Sequence, residues 1–305
     1  TGGNQVFTPL TRTGTGATSN ITSISAKTVD MVMTEPRVNG AGDPRLIWDR
    51  MRGKQLYIPS SSASQEVTLT NSLNGFDIMN GYTLGTDTSV NSVQTYVDYA
   101  FSRAPGFFDI VCYTGNLTST ARNHNLGVTP EMIWIHPRDS LTPISVNNDW
   151  VVFQNTLGGN HLYLNTTDAL VAAGISLNAN TTTFTTTAWN PINANGYKFV
   201  AYLFASCPGI SKIGSLTNTG SSINVDCGFT SGARFVLLKR TSTTGGWFVY
   251  DTARGINSGT SDPGIALNSP SAEYNTSNDI DPYSPGFTFV GANWIQADYI
   301  YFAIA

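Results

Sequence analysis

The apolar positions of this chain fall into short runs, and one arrangement of them occurs twice. Tyr96–Phe101 reads YVDYAF, Pro105-Gly106 supplies a turn, and Phe107–Tyr113 reads FFDIVCY. Aromatic and β-branched runs of this length, bounded by Pro and Gly, predict strand, turn, strand. The order returns at 197–220 as YKFVAYLFA, Cys207-Pro208-Gly209 and ISKIGSLTNTG, with Pro105 and Pro208 lying 103 residues apart. Residues 299–305, YIYFAIA, match the strand ahead of the turn. The runs are almost continuously apolar, which predicts strands buried on both faces, at contacts between units.

Between these seams the same events follow in the same order. A Thr/Gly/Asn turn (Thr13-Gly14-Thr15-Gly16, Thr114-Gly115-Asn116, Thr217-Asn218-Thr219-Gly220) leads to an apolar strand around Met31, Met132 or Phe235. Then come an aromatic strand ending at Gly53, Gly158 or Gly255, a short apolar piece at Leu56, Leu162 or Ile265, a variable polar stretch, and a strand around Phe76, Phe184 or Phe287. The pattern predicts an all-β chain of three internal repeats of about 100 residues. The expected domains are 1–104, 105–207 and 208–305, each an antiparallel β-sandwich of jelly-roll or lectin-like type, strung in series. Each unit would close its own core, so truncation after Ala104 or Cys207 would leave folded fragments. The best helical candidate is Thr167–Ala173, with Thr167 or Asp168 as its cap.

Composition narrows the classes. The chain has 305 residues, 40% apolar and only 12% charged, which excludes a charge-rich disordered chain. A net charge of −4 gives no electrostatic reason to bind nucleic acid or an anionic membrane. No run of 18 apolar residues and no basic-then-apolar leader occurs, so no membrane insertion is expected. Cys112, Cys207 and Cys227 are odd in number and lack metal-ligand spacing, and they read as buried thiols of a chain folded in a reducing cytoplasm.

Several segments carry a resemblance. FSRAPGFFDIVCYTGN, LGVTPEMIWIHPRD, GFDIMNGYTLGTDTSVN, GYKFVAYLFA and the aromatic-Asp-x-x-Arg-Gly element at 48–53 and 250–255 resemble a repeated domain of unknown function. That domain is found in tail-fibre-like virion proteins of tailed phages, especially phages of marine and aquatic bacteria. The resemblance implies a structural protein on the virion surface, in a fibre, tail tip or head-attached appendage involved in host adsorption. It also implies other virion proteins as partners, a homo-oligomer with a trimer favoured, and folding in the infected bacterium's cytoplasm. It brings no catalytic residues.

The residues are compatible with two further classes, a phage glycan depolymerase and a secreted bacterial adhesin or surface protein. The aromatic-Asp-x-x-Arg-Gly element pairs Asp49 with Arg52 and Asp251 with Arg254, read as local exposed ion pairs of at most about 1 kcal/mol. The middle unit has Gln154 and Leu157 instead, a change that a structural element tolerates and a catalytic one does not. His124, His136 and His161 have no metal spacing, and His136 reads as a strand-rim residue. Asp279-Ile280-Asp281 is the one acidic cluster, expected in a solvated loop at 275–285. No catalytic residue, metal or cofactor is expected. Binding of host surface glycans is, because sugar faces stack on aromatic rings while Asn and Asp take hydroxyls. The candidates are Trp189 with Asn190, Asn193 and Asn195; Trp294, flanked by Asn293; and Tyr274 with Tyr283 beside the acidic cluster. For Trp189 and Trp294, core packing is the competing reading. Divergence between units is expected in the variable stretches 60–74, 166–183 and 269–285.

Overall fold

A computed structural model describes residues 5–22, 28–38, 45–172 and 177–305. The protein is nearly all β, built from antiparallel sheets of which none closes into a barrel. Three large sheets share one strand order. In the first, Phe7–Thr13 pairs with Thr95–Phe101, then Met31–Pro36, Leu46–Asp49, Leu56–Pro59 and Val67–Thr68. The second runs Phe108–Thr114, Lys198–Phe204, Met132–Pro137, Val151–Gln154, Leu162–Tyr163, and the third Ser211–Thr217, Asp298–Ile304, Phe235–Arg240, Trp247–Asp251, Ile265–Ala266. Each therefore draws its strands from one of the three sequence segments. The two α-helices, Thr88–Asn91 and Asn190–Asn193, are single turns, and no helix among the described residues is long enough to cross a membrane. Residues 167–172 are not helical, and Ala173, like Thr1–Asn4, lies outside the described residues.

Period-2 alternation assigns the two faces of each large sheet. In Thr95–Phe101, the side chains of Val97, Tyr99 and Phe101 join a central cluster, while Ala100 joins a second cluster beneath a small sheet. Lys198–Phe204 sends Val200, Tyr202 and Phe204 to the centre and Phe199, Ala201 and Leu203 outward. Asp298–Ile304 does the same with Ile300, Phe302 and Ile304 against Tyr299, Tyr301 and Ala303. These three strands are thus buried on both faces, as their unbroken apolar runs imply, whereas Phe108–Thr114 and Ser211–Thr217, which follow the turns, are edge strands and only partly buried. Small sheets of two or three strands cover the outer faces, and the inner faces of all three large sheets meet in one cluster. At its middle the rings of Phe204 and Phe302 lie 5.2 Å apart, and Phe101 lies 6.2 Å from Phe204 and 6.5 Å from Phe235. Each segment has a cluster of its own between large and small sheet, and the central cluster is common to all three.

The register aligns the seams where the sheets meet. Asp49, Gln154 and Asp251 stand opposite Met31, Met132 and Phe235, and Tyr99, Tyr202 and Phe302 stand opposite Met33, Trp134 and Leu237. Asp49 and Arg52 form an ion pair that is fully buried, not exposed, and the Tyr202 hydroxyl from the second sheet donates to Asp49 Oδ2 at 2.6 Å. Arg52 also reaches Glu66, whose two carboxylate oxygens accept from Arg138 of the second segment at 2.9 and 3.0 Å. The seam between the third and first segments repeats this. Tyr99 donates to Asp251 at 2.8 Å, Arg254 binds Asp251 and Glu273, and Arg37 grips Glu273 at 2.8 and 2.9 Å. Burial pushes both phenols well above their ordinary range, so they remain donors.

His136 is not at a rim. It faces inward, wholly buried, with its ring 4.4 Å from Trp150, and burial brings its pKa down to about 3. Register places Glu35 and Lys239 at the equivalent positions of the other two sheets. The three cysteines are free thiols, and burial pushes Cys112 up to about 11 and Cys227 up to about 12.

Candidate functional site

The outward face of the third large sheet forms one wall of a cavity of about 540 Å³, a size ordinary for a small-molecule site. In Trp247–Asp251, WFVYD, Trp247 and Val249 go to the central cluster, so Phe248 and Tyr250 must face the other way. Tyr299 reaches the same side from the seam strand Asp298–Ile304, two strands away across Phe235–Arg240. The opposite wall comes from Tyr274, Ser277, Asp279 and Trp294. Trp294 ends a single 3-10 turn, Gly291–Asn293, and its ring lies 5.6 Å from Phe248 and 6.2 Å from Tyr250. Its Nε1 donates to the Asp279 carbonyl at 3.2 Å.

Two glycines make room for these rings. A Cβ at Gly291 would sit 2.2 Å from the Ser221 carbonyl oxygen, so only Gly lets the turn approach that close. A Cβ at Gly264 would lie 2.2 Å from the ring of Tyr274, with which Gly264 exchanges backbone hydrogen bonds of 2.8 and 3.0 Å. In the second segment the corresponding bridge joins Val171 to His161, whose imidazole lies 4.9 Å from Trp189. There a side chain fills the space that Gly264 leaves to Tyr274.

Asp279 is the single carboxylate of the lining. It is 4% exposed, and it accepts from Tyr250 at 2.9 Å and from Ser277 at 2.9 Å, while the Tyr250 and Tyr274 hydroxyls are hydrogen-bonded to each other. Burial pushes its carboxyl above the ordinary range. The solvated acidic loop expected here is instead a folded edge: Ile280–Tyr283 is a strand paired with Gly286–Phe289, and Asp262 Oδ2 accepts from the Asp279 and Ile280 amides. The physical reason is that Ile280 is wholly buried and carries Asp279 down with it, while Asp281 stays partly exposed.

The structure brings Tyr274 and Trp294 together at this cavity but separates Tyr283, which lines another of about 320 Å³ with Asp281. Trp189 is half-buried against the second segment's outer cluster. Asn190 opens the one-turn helix, Asn195 is exposed, and Asn193 is a buried bracket. Its side chain joins the Asn116 amide at 3.0 Å, the Thr118 carbonyl at 2.7 Å and the Thr187 carbonyl at 2.9 Å. Sequence reasoning missed Phe248, Tyr250, Tyr299 and Arg240; alternation in WFVYD puts the first two on one face but does not say which face is outward. Among the described residues no three His, Cys, Asp or Glu side chains converge as metal ligands.

No curated protein matches the chain. One family profile does, over residues 3–305, and its description is a domain of unknown function, DUF7483. The protein therefore belongs to the DUF7483 family, with nearly its whole length inside that domain.

Proposed function

We propose that this protein is a non-catalytic structural protein of a tailed-phage virion appendage. On this reading it adsorbs to host surface glycans through the aromatic cavity of its third segment. The cavity supports binding over cleavage. Phe248, Tyr250, Tyr274 and Trp294 offer apolar faces, and Asp279 supplies one acceptor for hydroxyls. Hydrolysis of a glycosidic bond ordinarily uses two carboxylates flanking one cleft, and this lining holds one. The virion placement rests on the resemblance of the seam and Asp-x-x-Arg-Gly segments. The reading also takes the chain as three repeats, supported by the shared strand order and matching registers of the large sheets. Other virion proteins and a homotrimer are the proposed partners.

The test is an array of bacterial polysaccharides probed with the full chain, beside its mass in solution by light scattering. Specific capture that Phe248→Ala abolishes is the expected result. No capture, or capture indifferent to Phe248→Ala, overturns the assignment of the cavity.

A further inference from the structure

Arg240 ends the strand Phe235–Arg240 and lines the cavity. Its situation differs from that of the arginines at the seams. Arg37, Arg52, Arg138 and Arg254 each meet a carboxylate, whereas no ion pair engages Arg240 among the described residues. Its Nε is buried without a hydrogen-bond partner, which costs free energy, and its side-chain partner in the lining is the Tyr299 phenol rather than a carboxylate. The adjoining Gly245-Gly246 has no side chains to cover it. A Cβ at Gly245 would lie 2.9 Å from Arg240 Nε, and one at Gly246 would lie 2.9 Å from the Phe248 ring. The glycine pair thus puts no side chain between the cavity and either the guanidinium or the ring edge.

The cavity then offers three kinds of contact: a cation at Arg240, aromatic faces at Phe248 and Trp294, and a hydroxyl acceptor at Asp279. Asp279 already accepts from Tyr250 and Ser277, and a carboxylate has lone pairs for further donors. A neutral sugar would bring no anion to Arg240, and an aromatic acid would bring no hydroxyls to Asp279. Resting on the glycan-binding reading above, we infer that the cavity takes an anionic saccharide, a uronic acid residue, with its carboxylate on Arg240 and a hydroxyl on Asp279. Guanidinium and carboxylate match in a two-pronged geometry, which makes Arg the apt residue for this contact. The chain as a whole carries a net charge of −4, so no overall positive field draws an anion in and the attraction must be local.

The experiment is titration calorimetry of the full chain with oligogalacturonate and alginate oligomers, each beside its methyl ester. The ester keeps the ring and hydroxyls and removes the charge. At least one acid should bind roughly tenfold or more tighter than its ester. Arg240→Met should erase that preference and leave ester binding in place, while Arg240→Lys retains part of it. Acids and esters binding alike would overturn the inference and leave the glycan reading standing. Neither binding, with no capture on the polysaccharide array, would remove both. The acid-to-ester comparison uses the unaltered chain, so it decides even if a variant fails to fold.

Discussion

Two of the seams between sheets carry an ion cluster, and among the described residues the third has none at the same positions. Where the first segment meets the second, the set is Asp49, Arg52, Glu66, Arg138 and Tyr202; where the third meets the first, it is Asp251, Arg254, Glu273, Arg37 and Tyr99. Where the second meets the third, register and backbone bonding put Gln154, Leu157, Leu170, Thr241 and Phe302 in those places. The Leu170 amide donates to the Thr241 carbonyl just as Glu66 does to Arg138 and Glu273 to Arg37. Five positions have changed together. A buried carboxylate that loses its arginine is an uncompensated charge, while an ion cluster exchanged whole for apolar groups costs little. The middle unit's departure at Gln154 and Leu157 is thus one part of a complete exchange that also reached Phe302 in another segment.

The comparison can be broken in order of severity. Truncation after Ala104 or Cys207 should do most, because it strips whole sheets from the common cluster. The fragments are expected to aggregate or to lose cooperative unfolding by circular dichroism, and a soluble, cooperatively folding fragment would show that the segments stand alone. Next, Arg254→Leu should cost about 3–5 kcal/mol in denaturant unfolding by leaving Asp251 buried and unpaired. The fivefold variant Arg37→Thr, Tyr99→Phe, Asp251→Gln, Arg254→Leu, Glu273→Leu copies the uncharged seam and should cost less than the single change. A sum of independent losses would refute the unit.

A smaller effect comes from pH. His136 has an ordinary value of 6.5 and a buried one of about 3, so between these values the unfolded chain takes up a proton that the native one refuses. Its contribution to stability is complete above pH 6.5 and falls as pH drops toward 3, by about 2 kcal/mol between pH 7 and 5. His136→Met should flatten that part of the profile. The smallest expected effects are reciprocal. Tyr202→Phe strips a donor from Asp49, and Phe302→Tyr adds a hydroxyl to the uncharged seam, each costing about 1–2 kcal/mol in the same unfolding assay.

Strands were legible where burial on two faces leaves continuous apolar runs, as at Tyr96–Phe101, and turns where Pro105-Gly106 and Pro208-Gly209 punctuate them. The buried state of the Asp49–Arg52 pair was not legible, since spacing shows that two charges are neighbours but not what covers them. Of the site, Tyr274 and Trp294 stood out as aromatics in polar surroundings. Arg240 and Tyr250 did not, because they belong to strands whose outward face is defined only once the inward one is known.

Sequence alone determined the all-β class, the order of events within each segment and the faces on which residues alternate, because these follow from local period and turn chemistry. Tertiary structure decided that the three large sheets share one core, that Tyr99 and Tyr202 serve carboxylates about 150 residues away, and which aromatics line a cavity. Those outcomes depend on which sheet faces meet, and contacts between distant segments leave no periodic mark on the chain.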